Sequence, residues 1–140
     1  MDKHKESLFE TIGGEEVLDK WVEAFYRHVK AHPVIAHLFP DDLSETVRKQ
    51  KQFLTQFLGG PPLYSTEHGH PMLRRRHLRF PIGNKEASAW LSCMRSAMAE
   101  AGLSPENQSI IFDRLSRTAY HMVNQPFDRT IRGVDARDTL

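Results

Sequence analysis

The stretch "MLRRRHLRFPIG", residues 72–83, sets one imidazole among four guanidiniums: His77 is flanked by Arg74, Arg75, Arg76 and Arg79. No acidic residue follows until Glu86, and Leu73, Leu78, Phe80 and Ile82 are threaded through the same segment. A neutral imidazole is a ligand for a transition metal, and guanidiniums hold carboxylates and phosphates in paired hydrogen bonds. This combination suits a partner that is both anionic and apolar. A nucleic acid is the competing partner.

A second group of residues has polar side chains where apolar ones are expected. On the helix read over 43–58, the stripe 46, 50, 53, 57 is Thr, Gln, Phe, Phe. An unpartnered buried amide or hydroxyl costs roughly 1–3 kcal/mol, so Thr46 and Gln50 need something to bond. On that helix alone, mutual or backbone hydrogen bonding explains them as well as a ligand does. Tyr26, beside Phe25 on the preceding helix, adds a hydroxyl, and Trp90 adds an N–H donor from a third helix. Four such groups on otherwise apolar faces point to a small polar guest in an apolar pocket. An imidazole on one wall and donors on the opposite wall are what a five-coordinate haem requires. Arg76 is then the natural partner of the haem propionates. Lys49 can lay its stem along the apolar face and carry its ammonium to the same edge.

These residues must be positioned by helices. Val17, Leu18, Trp21, Val22, Phe25 and Val29 recur at helical spacing and predict a helix over 15–31, after the Gly13–Gly14 break. "HPVIAHLFP", residues 32–40, reads as a short apolar connector. Asp42 is expected to cap the next helix, with Glu45 as its reciprocal partner; that helix stops at "GGPP", residues 59–62. "LYSTEHGHP" reads as a loop of turn residues, followed by a short helix carrying His77. Ala87, Trp90, Leu91, Met94, Ala97 and Met98 form one stripe of a helix from about Lys85 to Ala101. Ser104 and Pro105 open the last helix, which carries Ile111, Leu115, Ala119 and Met122. No period-two strand is visible, so the fold class is all-α.

Composition sets outer bounds. The 140 residues suit one domain, with a core over about 8–127 and a charged, loose tail at 128–140. A net charge of +1 argues against a general polyanion binder and makes the arginine cluster a local feature. One cysteine, Cys93, fits a reducing compartment. No apolar run has the length of a membrane span, and the N-terminus has no apolar signal core. The cytoplasm is therefore expected, with no membrane or nucleic-acid partner.

At this point the residues resemble a known family. The segments "IGGEE", "FYRHV", "LFP", "RKQKQFLTQFLGGPPLYSTEHGHPMLRRRHLRFPI", "AWLSCM" and "HMVNQ" are similar to those of truncated haemoglobins of group II, the O-type, and of its bacillus-like members in particular. The resemblance runs from Leu8 to about Phe127. It implies a two-over-two helical sandwich around haem b, with His77 as the proximal iron ligand. It implies that Tyr26 bonds the oxygen ligand, that Trp90 supports it, and that Thr46 and Gln50 occupy the two distal-helix positions. Phe39 matches the aromatic residue packed on the porphyrin. Lys49, Tyr64 and Arg76 match residues that contact haem or its propionates, and Phe53 is placed on the same haem-facing stripe. The glycine pairs 13–14 and 59–60 match the helix-end hinges of truncated globins. One departure is visible: "HLRF" has Arg79 where the family often has proline.

The expected function is reversible, high-affinity binding of dioxygen and other diatomic ligands. Such a site can also scavenge nitric oxide or turn over peroxide. With no histidine at the distal positions, peroxide turnover is expected to be weak. These 140 residues include no reductase domain, so cyclic oxygen chemistry is expected to need a separate reductase. A monomer or weak dimer is expected. The alternative is a small helical anion- or nucleic-acid-binding module built on the Arg74–Arg79 cluster. Other residues carry plainer expectations. Among the 8 histidines, His68 and His70 suit a turn before Pro71. Met72, Met94, Met98 and Met122 suit core filling, and Cys93 suits a small buried hydrophobe.

Overall fold

The computed structural model describes residues 6–69 and 82–123. The His77 helix, the Arg74–Arg79 cluster, His70 and the tail at 128–140 lie outside the described residues. Among the described residues every regular element is helical: α1 (Leu8–Ile12), α2 (Gly14–Ala31), α3 (Ser44–Phe57), α4 (Leu63–His68), α5 (Asn84–Glu100) and α6 (Pro105–His121), with a 3-10 turn at Ala36–Leu38.

Local chemistry explains most boundaries. Ser7 Oγ accepts from the Glu10 N–H at 3.2 Å, while the Glu10 carboxylate accepts from the Ser7 N–H at 3.1 Å. This capping box starts α1, an element the periodicity did not reveal, although "SLFE" carries its signature. Gly13 then turns the chain into α2 with φ of 119°. A Cβ there would lie 2.5 Å from Val17 Cγ2, so glycine is required for both reasons. Ser104 Oγ accepts from the Asn107 N–H at 3.1 Å ahead of Pro105, and α6 begins as expected.

Two expectations need correction. Asp42 Oδ1 does accept from the Ser44 N–H at 3.0 Å, but Leu43 occupies the cap position and Glu45 does not return to Asp42. With the helix opening at Ser44, Glu45 sits one residue too early for the reciprocal bond, and Arg48 one turn on takes its carboxylate at 2.6 Å. The second correction is α4, a helix where turn residues predicted a loop. Its cause is tertiary and is described below.

α2 and α3 lie over α5 and α6 as two pairs, with α2 packed most extensively on α5. Leu18, Trp21, Val22, Phe25 and Val29 of α2 meet Met94 and Met98 of α5 and Ile111 and Leu115 of α6 in one core. Trp21 Nε1 donates to the Met94 carbonyl at 3.3 Å within it, tying α2 to α5. Cys93 is buried, and burial pushes its thiol up; it packs as a small hydrophobe.

Candidate functional site

Between the helix pairs lies a cavity of about 330 Å³. Tyr26, Phe39, Thr46, Lys49, Gln50, Phe53, Tyr64 and Trp90 all line it. These are the sequence-predicted site residues apart from Arg76 and His77, which lie outside the described residues. The volume falls within the range of small-molecule sites.

α2 brings Tyr26 to the wall because Phe25, its neighbour, turns into the core. The two rings meet edge-on at 4.7 Å, and Tyr26 meets Phe39 edge-on at 5.9 Å. Only 6% of Tyr26 is exposed, and burial raises its phenol above the ordinary value. The group therefore stays protonated and available as a donor. Trp90 of α5 meets Phe25 edge-on at 5.6 Å, so one buried phenylalanine orients both donors.

α3 contributes Thr46, Gln50 and Phe53 from one face, all half-buried. They face the cavity instead of the core, and Leu54 and Leu58 make the core contact. Among the described residues, no side-chain hydrogen bond involves Tyr26, Thr46, Gln50 or Trp90. No enclosed side-chain polar atom of the described residues lacks a partner, so these four groups open into the cavity. Mutual bonding of Thr46 and Gln50, the plainer alternative, is not how they are arranged. Lys49 reaches the same wall while remaining exposed.

A family profile of bacterial-like globins matches residues 7–124. The chain belongs to that family. It is similar to the group 2 truncated hemoglobin YjbI of Bacillus subtilis, 61% identical over 117 residues that cover 84% of this chain and 88% of that protein. The crystal structure of the group II truncated haemoglobin from Bacillus anthracis superposes with a TM-score of 0.86 at 55% identity, covering 88% of this chain and 95% of that one. The truncated oxygen-avid haemoglobin of Bacillus subtilis superposes at 0.82 with 59% identity, covering 85% and 100%. This globin is thus a group II truncated haemoglobin with the two-over-two architecture, and membership implies haem-based oxygen binding.

The cavity suits that group. Aromatic and aliphatic side chains from α2 to α6 and the 3-10 turn enclose it, Tyr26, Thr46, Gln50 and Trp90 bring polar groups to it from three helices, and Lys49 lines it while remaining exposed. Several lining residues of the globin were not read from the sequence: Ile82, Glu86, Leu115, Thr118 and Ala119. Glu86 had a usable signal, since it stands one turn before Trp90 on α5. Its Oε1 accepts from the Gly83 N–H at 2.8 Å. Met122, expected as core filler, lines the cavity as well. His68, expected in a turn, ends α4.

Proposed function

We propose that this globin holds haem b in the cavity through His77 and binds dioxygen reversibly with high affinity. The observation that carries the reading is the set of donors, Tyr26, Gln50 and Trp90, that open into an apolar cavity without hydrogen-bond partners among the described residues. When bound, the haem supplies an iron that takes up a diatomic molecule and shifts charge onto it. The chain's own groups do the rest. Tyr26 donates its phenolic proton toward the guest, and its raised pKa keeps that proton in place. Gln50 and Trp90 add donors from the facing helices. Hydrogen bonds to a charged acceptor are roughly twice as strong as neutral ones, so the guest leaves slowly. Thr46 completes the polar wall. Phe39, Phe53 and Tyr64 enclose the apolar part, and Lys49 and Arg76 hold the propionates.

Nitric-oxide scavenging and weak peroxide turnover are proposed as side activities, supported by a separate reductase. The described cavity wall presents no histidine, and its one carboxylate, Glu86, is tied to the Gly83 amide. Peroxide turnover is therefore modest. Among the described residues no helix is long and apolar enough to cross a membrane. We place the protein in the cytoplasm, as a monomer or weak dimer.

The test is the visible absorption spectrum of the protein beside His77→Ala, both after haem addition. A strong Soret band in the parent and altered iron ligation in the variant are expected. No haem uptake by the parent overturns the proposal and returns the arginine cluster to anion binding.

A further inference from the structure

α4 has six residues, too few to be stable alone in water. Pro62, at its cap position, makes no side-chain hydrogen bond to it. The missing cap comes from α3. Gln56 Oε1 accepts from the Ser65 N–H at 2.9 Å, and Gln56 Nε2 donates to Ser65 Oγ at 2.8 Å. Ser65 is the third residue of α4, so this is an N-terminal cap supplied across the tertiary structure. The other end is held one turn earlier on α3. His68 Nε2 donates to Gln52 Oε1 at 2.8 Å, and Gln52 Nε2 donates to Glu67 at 2.8 Å. Arg48 adds a paired contact to the same Glu67 carboxylate at 2.8 and 2.6 Å.

Tyr64, the residue before Ser65, is the buried residue of α4. Its ring meets Phe53 edge-on at 6.0 Å, lies 4.7 Å from the His68 ring, and lines the cavity. We propose that Gln52 and Gln56 are positioning residues: they dock α4 on α3 and thereby hold Tyr64 against the haem. This inference rests on the haem reading above. It extends that reading to two side chains that do not line the cavity.

The test measures haem transfer to an excess of apoglobin scavenger, together with amide hydrogen exchange at Ser65. Gln56→Leu is expected to speed haem loss about tenfold, the worth of about one net hydrogen bond, and to expose the Ser65 amide to exchange. Gln56→Glu keeps the acceptor, and the Ser65 hydroxyl can turn to donate to it, so near-parental haem retention is expected. In a Tyr64→Ala background the Gln56→Leu effect should vanish, because the positioned side chain is gone. Should Gln56→Leu fail to fold, Ser65→Ala removes only the hydroxyl contact and is expected to speed loss by about threefold. Effects of Gln56→Leu and Tyr64→Ala that multiply independently would overturn the proposal. So would parental haem loss and Ser65 protection in Gln56→Leu. A parent that holds no haem overturns the functional reading itself.

Discussion

Both halves of α3 carry threonine and glutamine, and they use them differently. In the second half every polar side chain from Gln52 to Gln56 has a protein partner. Gln52 bonds Glu67 and His68, Thr55 Oγ1 donates to the Lys51 carbonyl at 2.8 Å, and Gln56 bonds Ser65 twice. In the first half, Thr46 and Gln50 make no side-chain hydrogen bond among the described residues and open into the cavity. A buried polar group is stabilising when paired and costly when not. The second half therefore holds the fold together. In the first half, Arg48 joins that task by holding Glu67, while Thr46 and Gln50 leave their hydrogen bonds for a guest. The type of residue does not separate the two roles, since glutamine and threonine occur in both. The partner does.

That contrast can be broken experimentally. The largest effect is expected where a donor faces the guest. Tyr26→Phe should raise the oxygen dissociation rate roughly 10- to 100-fold, the loss of one charge-assisted hydrogen bond of about 1.5–3 kcal/mol, with little loss of folding stability. An unchanged rate in stopped-flow measurements would remove Tyr26 from the donor set. Gly60→Ala attacks the closed half. Its Cβ would stand 2.8 Å from the Phe9 ring and 2.9 Å from the Thr55 carbonyl. Overpacking of this kind costs about 1–3 kcal/mol, and denaturant unfolding should show it. Thr55→Val removes a hydroxyl already satisfied within its own helix. Its stability cost should stay within about 1 kcal/mol, and the oxygen dissociation rate should not move.

The smallest effect is expected from pH. Arg48 foremost, and Gln52 after it, lower the Glu67 carboxyl from its ordinary 4.5 to about 2. A carboxylate depressed in the folded state stabilises above its unfolded value, and that contribution disappears as pH falls through the folded one. The difference in stability between the parent and Glu67→Gln should therefore shrink between pH 4.5 and 2. The group is exposed, so solvent screening keeps the effect small. A difference that stays constant over that range would show that the Arg48–Glu67 pair contributes nothing.

The main helices were legible because their causes are local. The stripe from Val17 to Val29, the Ser104–Pro105 start and the stripe from Ala87 to Met98 each describe one element without reference to another. The site was legible for a different reason: Thr46, Gln50, Tyr26 and Trp90 break the apolar pattern of the faces they occupy. The α1 helix was missed although "SLFE" announces it, because five residues carry no periodicity. Glu86 was missed because a first-turn acid is ordinary at a helix start.

By itself, then, the sequence determined the all-helical class, the spans of the long helices and a set of polar residues in need of partners. Hydrophobic spacing and caps act within a few residues, so they can be read along the chain. The tertiary structure alone decided that "LYSTEH" is a helix and not a loop, because its cap lies on α3. It also decided that Gln56 is closed and Gln50 open. Whether a polar side chain finds a partner depends on what the fold brings opposite it, and no local property of the residue carries that information.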